Sequence, residues 1–143
     1  MLVPRSLRRW FTLDFILALV SGFPLLIAPE WSLQQLNWGC VDPWVTRILA
    51  SAVIALGTQS LVHRGSSAIV CLAIIHQKCV WSLVASGAIL GELWKQGWHE
   101  SPWGAWLFLG LFIAFGGLWF SYWLRLSRAL LNERPAALPA TDS

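Results

Sequence analysis

Four long runs of apolar residues dominate the chain, and short polar segments separate them. The runs cover about residues 10–28, 44–62, 67–93 and 103–124. A helix needs roughly 20 mainly apolar residues to cross about 30 Å of hydrocarbon, and each run is long enough. Strands of a membrane barrel alternate apolar and polar residues, whereas these runs are continuous. The pattern therefore predicts an all-α membrane protein, built as a bundle of four transmembrane helices.

Composition excludes a soluble domain and a disordered chain. Hydrophobic residues make up 57% of the 143 residues, and charged residues only 12%. A soluble domain carries about 25% charged residues, and disordered chains are poor in apolar residues. The first run is too long for a signal peptide, and no small-residue cleavage site closes it. We expect one membrane domain over residues 10–124, a short N-terminal segment, 1–9, and a disordered Pro- and Ala-rich tail, 125–143.

Positive residues are distributed unevenly about the four predicted spans. One side would keep only Lys95 and Arg47, while seven arginines would face the other side: Arg5, Arg8, Arg9, Arg64, Arg125, Arg128 and Arg134. Lys and Arg favour cytoplasmic segments. We therefore predict a multi-pass protein of the cell (inner) membrane with both termini in the cytoplasm.

The chain is rich in tryptophan, and most of these residues fall near predicted membrane boundaries. Of the 11 tryptophans, seven gather at the outer boundary: Trp31, Trp38, Trp44, Trp94, Trp98, Trp103 and Trp106. Amphipathic aromatic rings prefer the headgroup region of a bilayer. This arrangement is typical of an aromatic belt and supports the positions of the spans.

The third run contains a charged residue deep in the predicted membrane. Lys78 lies roughly 15 Å from the cytoplasmic end of its helix, near the midplane. A charge at that depth costs about 3 kcal/mol on insertion scales, so it should face the interior and find a partner. Asp14, Gln59 and His76 are the polar residues of suitable depth. We predict one intramembrane polar cluster of these four residues, acting either as a structural clasp or as a proton or substrate relay.

A second polar cluster is expected at the outer interface. Asp42, Arg47 and Glu92 lie at similar depth near the outer helix ends. A long arginine side chain can extend from the membrane toward such carboxylates. Arg47 would therefore either pair with these acids or bind an anionic lipid headgroup.

Small residues recur at helical spacing in the outer half of the third run. They are Ser82, Ser86, Gly87 and Gly91. Small side chains let the backbones of membrane helices approach closely. We predict a helix-packing seam there, which would serve either contacts within the bundle or an oligomer.

Motifs for catalysis are absent from the sequence. There is no nucleotide-binding glycine loop, no hydrolase elbow and no zinc-binding helix, and the three cysteines lack a metal-ligand spacing. The basic residues follow the membrane topology, so no nucleic-acid partner is expected. His76 could ligate the metal of a haem or chlorophyll-type pigment, without a second histidine at its depth. The sequence thus predicts no enzyme and no metal site, and leaves tetrapyrrole ligation by His76 open.

Several short motifs together carry a resemblance to a known group. The first run ends Leu26-Ile-Ala-Pro-Glu30, and Asp42-Pro43 precedes Thr46-Arg47-Ile48-Leu49 and Ala55-Leu56-Gly57. Lys78 follows in the third run, and the fourth ends Trp119-Phe-Ser-Tyr-Trp-Leu124. This layout resembles small bacterial four-helix membrane proteins that are DoxX-like in outline. The resemblance implies the fold and no defined reaction. In that group the fourth helix often carries an acid before its tryptophan, where this chain has Phe115-Gly116-Gly117.

Two functions of different classes fit these features. The first is an accessory or scaffold subunit that packs against a larger membrane complex, such as one that carries pigments or redox cofactors. Its partners would be the lipid bilayer and other membrane subunits or further copies of the chain. The second is a small ion-coupled carrier or channel that uses Lys78 and Asp14. The small size and the lack of a catalytic motif favour the first.

The predicted topology can be tested through Cys40, which lies in the outer loop. We expect a membrane-impermeant thiol reagent to label Cys40 in intact cells, and a Cys40→Ser variant to stay unlabelled, because Cys71 and Cys79 lie within the third span. Protection of Cys40 combined with access to the C-terminus from outside would show the inverted topology.

Overall fold

A computed structural model describes residues 4–39 and 41–132, and in this part of the chain all regular structure is helical. The helices are α1 (Arg5–Ile27), α2 (Pro29–Gln35), α3 (Pro43–His63), α4 (Ala68–Gln96) and α5 (Trp103–Asn132). Four of them, α1, α3, α4 and α5, are long and apolar enough to cross a membrane. The predicted all-α protein with four candidate membrane spans is thereby confirmed. Cys40, and the part of the tail from residue 133 that includes Arg134, lie outside the described residues.

Helix ends follow local sequence signals. Asp42 caps α3, because its Oδ1 accepts hydrogen bonds from the backbone N–H groups of Trp44 at 2.9 Å and Val45 at 3.2 Å. Proline stands in the first turn of α2 and of α3, where a missing N–H costs nothing. Gly97 ends α4 with φ of 90°, a backbone conformation that glycine adopts without strain.

The fourth membrane helix runs further than the sequence pattern indicates. The prediction ended it near Leu124 and expected a disordered tail, but α5 continues to Asn132. Leu126 is only 4% exposed and belongs to the same apolar cluster as Leu7 and Phe11 of α1. Burial of this leucine stabilises an additional helical segment whose arginines, Arg125 and Arg128, are exposed. The prediction of disorder was therefore wrong for residues 125–132.

The bundle consists of two closely packed antiparallel pairs, α1 with α3 and α4 with α5. In the first pair the backbones approach each other at glycines. A Cβ on Gly57 would collide with the Cβ of Ala18, and one on Gly22 would lie 2.7 Å from the Cγ1 of Ile54. Close approach of this kind is how small residues stabilise membrane helix pairs.

Buried apolar side chains form two further clusters between the helices. The larger one joins α1, α4 and α5 near the N-terminus of α1, where Phe11 and Trp119 pack with ring centroids 5.6 Å apart. The smaller one, at the opposite end, contains Leu93, Ala105 and Leu109. The larger cluster places α1 beside α4, which is the arrangement that the polar site described below requires.

The glycine contact between α1 and α3 predicts a position-specific effect. Gly57→Ala should lower the free energy of unfolding by about 1–3 kcal/mol, because the added methyl overpacks the helix crossing. Gly110→Ala is the matched control, since nothing lies within 4 Å of a Cβ there. Denaturant-induced unfolding in detergent would measure both. Equal effects of the two substitutions would contradict the proposed crossing.

Candidate functional site

The deepest charged residues form an ion pair between α1 and α4. The Nζ of Lys78 lies 2.7 Å from Oδ2 of Asp14, and the two side chains are only 10% and 17% exposed. Lys78 lies on the inward face of α4, in line with the buried residues Ile74, Ile75 and Ser82. The structure thus brings together the two charged residues that were predicted to pair because of their depth in the membrane.

Further contacts extend this pair to the other two long helices. Ser60 of α3 donates a hydrogen bond from Oγ to Oδ2 of Asp14 at 2.8 Å, and Lys78 also donates to the backbone carbonyl of Leu56 at 3.5 Å. In α5, the ring centroid of Trp119 lies 5.6 Å from the Lys78 Nζ, within range of a cation–π interaction. Every long helix therefore contributes at least one residue to what we call the central clasp: Asp14, Leu56, Ser60, Lys78 and Trp119.

Two residues of the predicted cluster lie elsewhere. Gln59 is half-buried, and its neighbour Ser60 makes the hydrogen bond to Asp14 instead. His76 is exposed, because two positions along a helix correspond to a rotation of about 200° and so place it opposite Lys78. The four-residue cluster was therefore wrong in its membership. Serines are common in membrane helices, so a serine indicates a polar site less clearly than a glutamine does. Only the rotation of α3 about its axis decides that Ser60, and not Gln59, bonds to Asp14.

The predicted outer charge cluster divides into three separate interactions. Asp42 caps α3, and Arg47 donates from Nε to the Leu26 carbonyl at 3.2 Å. Glu92 pairs with Lys95, three positions along α4, at 2.8 Å, and both side chains are well exposed. Helix ends carry backbone N–H and C=O groups without helical partners, and these compete for nearby side chains. The Asp-Pro sequence at the start of α3 and the i,i+3 spacing of Glu92 and Lys95 are the signals from which two of these local partners could have been predicted.

The predicted packing seam on α4 is occupied only in part. Ser82 is buried against α5, where a Cβ on Gly116 would lie 3.1 Å from the Cβ of Ser82. Ser86 is half-buried, whereas Gly87 and Gly91 are exposed and have nothing within 4 Å of a Cβ position. The part of the seam that contains Gly87 and Gly91 therefore faces away from the bundle.

Two neighbouring grooves open on the outward surface of α4. The larger, of about 600 Å³, lies between α4 and α5 and includes His76, Ser86, Gly117 and Trp123 in its wall. The smaller, of about 390 Å³, lies along α4 over His76, Gln77 and Trp81. His76 lines both grooves. We call this surface, made of the two grooves with the adjoining Gly87, the outer groove face.

The charged groups of the central clasp find their hydrogen-bond partners within the bundle. One carboxylate oxygen accepts from both an ammonium and a hydroxyl group, and the described residues contain no fully buried side-chain polar atom without a partner. Within residues 4–39 and 41–132, no group of three His, Cys, Asp or Glu residues could hold a metal ion.

No protein family, curated protein or solved structure matches this chain. The DoxX-like resemblance of the sequence stays a prediction. The function is therefore argued from the geometry of the described residues.

Coupling between Lys78 and Asp14 should be visible in a double-mutant cycle. Asp14→Leu or Lys78→Met alone should lower the free energy of unfolding by about 3 kcal/mol, because each leaves a poorly solvated charge without its partner. The double variant should recover most of the loss, since both desolvation penalties disappear together. Unfolding in detergent would measure all four proteins.

The control for this cycle is the exposed pair of Glu92 and Lys95. Water solvates both partners there, so Glu92→Gln and Lys95→Met should show no measurable coupling. Strictly additive effects at Asp14 and Lys78 as well would mean that the central clasp contributes no interaction energy.

Proposed function

We propose that this protein is an accessory or scaffold subunit of the cell (inner) membrane, with both termini in the cytoplasm, that packs laterally against other membrane subunits. One observation carries the proposal. His76 and Gln77 are exposed on the outward side of α4, and His76 lies about 12 Å from the start of this 29-residue helix. Polar side chains at such depth normally face protein or a water-filled cavity rather than lipid. A neighbouring protein on the outer groove face would provide their partners.

The central clasp supports a structural function for the interior. An ion-coupled carrier would need Lys78 or Asp14 to exchange partners during transport. In this arrangement Asp14 is held by both Lys78 and Ser60, and Lys78 also bonds to the Leu56 carbonyl. These contacts favour a clasp that fixes the helices in one register over a transport site.

Exposed tryptophans support a location within the bilayer. Trp44 and Trp94, each 77% exposed, lie at the same end of the bundle, and Trp98 packs on Trp106 close by. Indole rings at that level anchor a membrane protein through the headgroup region. Such anchors hold the outer groove face at a fixed depth, where a lateral partner can bind it.

Site-specific photo-cross-linking in native membranes tests this proposal. A photoreactive phenylalanine analogue at Leu83, which is 75% exposed and lines the larger groove, should give a discrete protein adduct. The same probe at Val20 of α1, which is 66% exposed, is the matched control and should react only with lipid. Mass spectrometry would identify the adduct. Lipid adducts alone from Leu83, and no protein in mild-detergent purification, would refute the proposal.

A further inference from the structure

We infer that the outer groove face binds a second copy of this chain, in a two-fold dimer whose axis is perpendicular to the membrane and passes close to His76. The inference rests on the proposed lateral packing and names its first partner. The unit that enters a larger complex would then be the dimer.

The first argument is the hydrogen-bonding demand of the exposed polar residues. Neither His76 nor Gln77 has a side-chain hydrogen bond to the described residues, although both lie deep in the helix. A neutral imidazole carries one donor and one acceptor, and a carboxamide carries both kinds of group. Each residue can therefore bond to an identical residue. A two-fold axis perpendicular to the membrane keeps identical residues at the same depth, and it brings together those that lie close to it.

The second argument is the space around these residues. Gly87 lies eleven positions after His76 and thus on nearly the same side of α4, while Gly117 of α5 lines the larger groove. Nothing lies within 4 Å of a Cβ at either glycine. A neighbouring helix could therefore approach both backbones closely, as small residues allow in membrane dimers. Close approach is what the side chains of His76 and Gln77 need to bond to their copies.

A lipid chain, a tetrapyrrole or an unrelated helix would fit the outer groove face less well than a second copy of the chain. A lipid chain would leave both polar side chains without partners in hydrocarbon. A tetrapyrrole would use His76 as an axial ligand but would leave Gln77 unpaired. An unrelated helix would need polar groups of its own at this depth, whereas a second copy supplies them by symmetry. These comparisons favour the dimer.

Energy transfer between two fluorescently labelled populations of the purified protein, mixed in phosphatidylcholine vesicles, tests the inference. Transfer should exceed the level for randomly placed proteins and should fall on dilution with lipid. Gly117→Leu should abolish this excess by blocking close approach. His76→Leu should weaken association by about threefold to thirtyfold, the range expected for membrane hydrogen bonds. Ala55→Leu, on an exposed position of α3, should leave association unchanged.

The stability of the detergent-solubilised monomer separates association from folding. His76→Leu and Gly117→Leu should unfold at the temperature of the wild type or above it, because both positions are exposed and face away from the bundle. Random-level transfer in the wild type, or unchanged transfer in both variants, would overturn the dimer. A coloured ligand that is lost in His76→Leu would overturn it in favour of a tetrapyrrole. If the Leu83 probe captures a different protein and no second copy, the dimer fails while the proposed accessory function stands.

Discussion

The ion pair between Lys78 and Asp14 is the constraint on which the arrangement of the helices depends. The α1–α3 and α4–α5 pairs each pack through close backbone contact, and the pairs meet each other mainly through side chains. A lysine that is nine-tenths buried in a membrane helix must find an anionic partner inside the protein. Asp14 supplies it, so the rotation of α4 and its height relative to α1 are fixed together. The pair contributes specificity more than net stability, because desolvation offsets much of the attraction.

Sequence reasoning identified this pair because the energy involved is large. A charge at mid-depth costs about 3 kcal/mol, and few acids lie at a depth that can relieve that cost. The choice of Ser60 over Gln59 depends on about 100° of rotation of α3. That rotation is set by the contacts of Gly57 with Ala18 and Phe15, which no local pattern reveals. The fold and the charged core of the site were therefore predictable, and the third residue was not.

The interface regions were predicted less well for a related reason. Asp42, Arg47 and Glu92 lie at helix ends, where backbone groups, neighbouring side chains and water offer alternatives of similar free energy. Each residue took a different local partner, at a helix start, a helix end and one turn along α4. The helical extension to Asn132 similarly depends on a tertiary contact, the burial of Leu126. The depth of a residue in the membrane cannot show which partner it takes when the possible partners have similar free energies.

The clasp also determines what the outside of the bundle presents. Because Lys78 fixes the rotation of α4, His76 and Gln77 have no route into the interior without withdrawing the lysine from Asp14. Leucine at either position would cost nothing against lipid, whereas histidine and glutamine lose hydrogen bonds there. Their outward position is thus unfavourable for an isolated monomer and favourable beside a polar neighbour. One turn of α4 therefore carries both Lys78, whose polar partners lie inside the bundle, and His76 and Gln77, which are exposed on its outside. This contrast supports the proposed association.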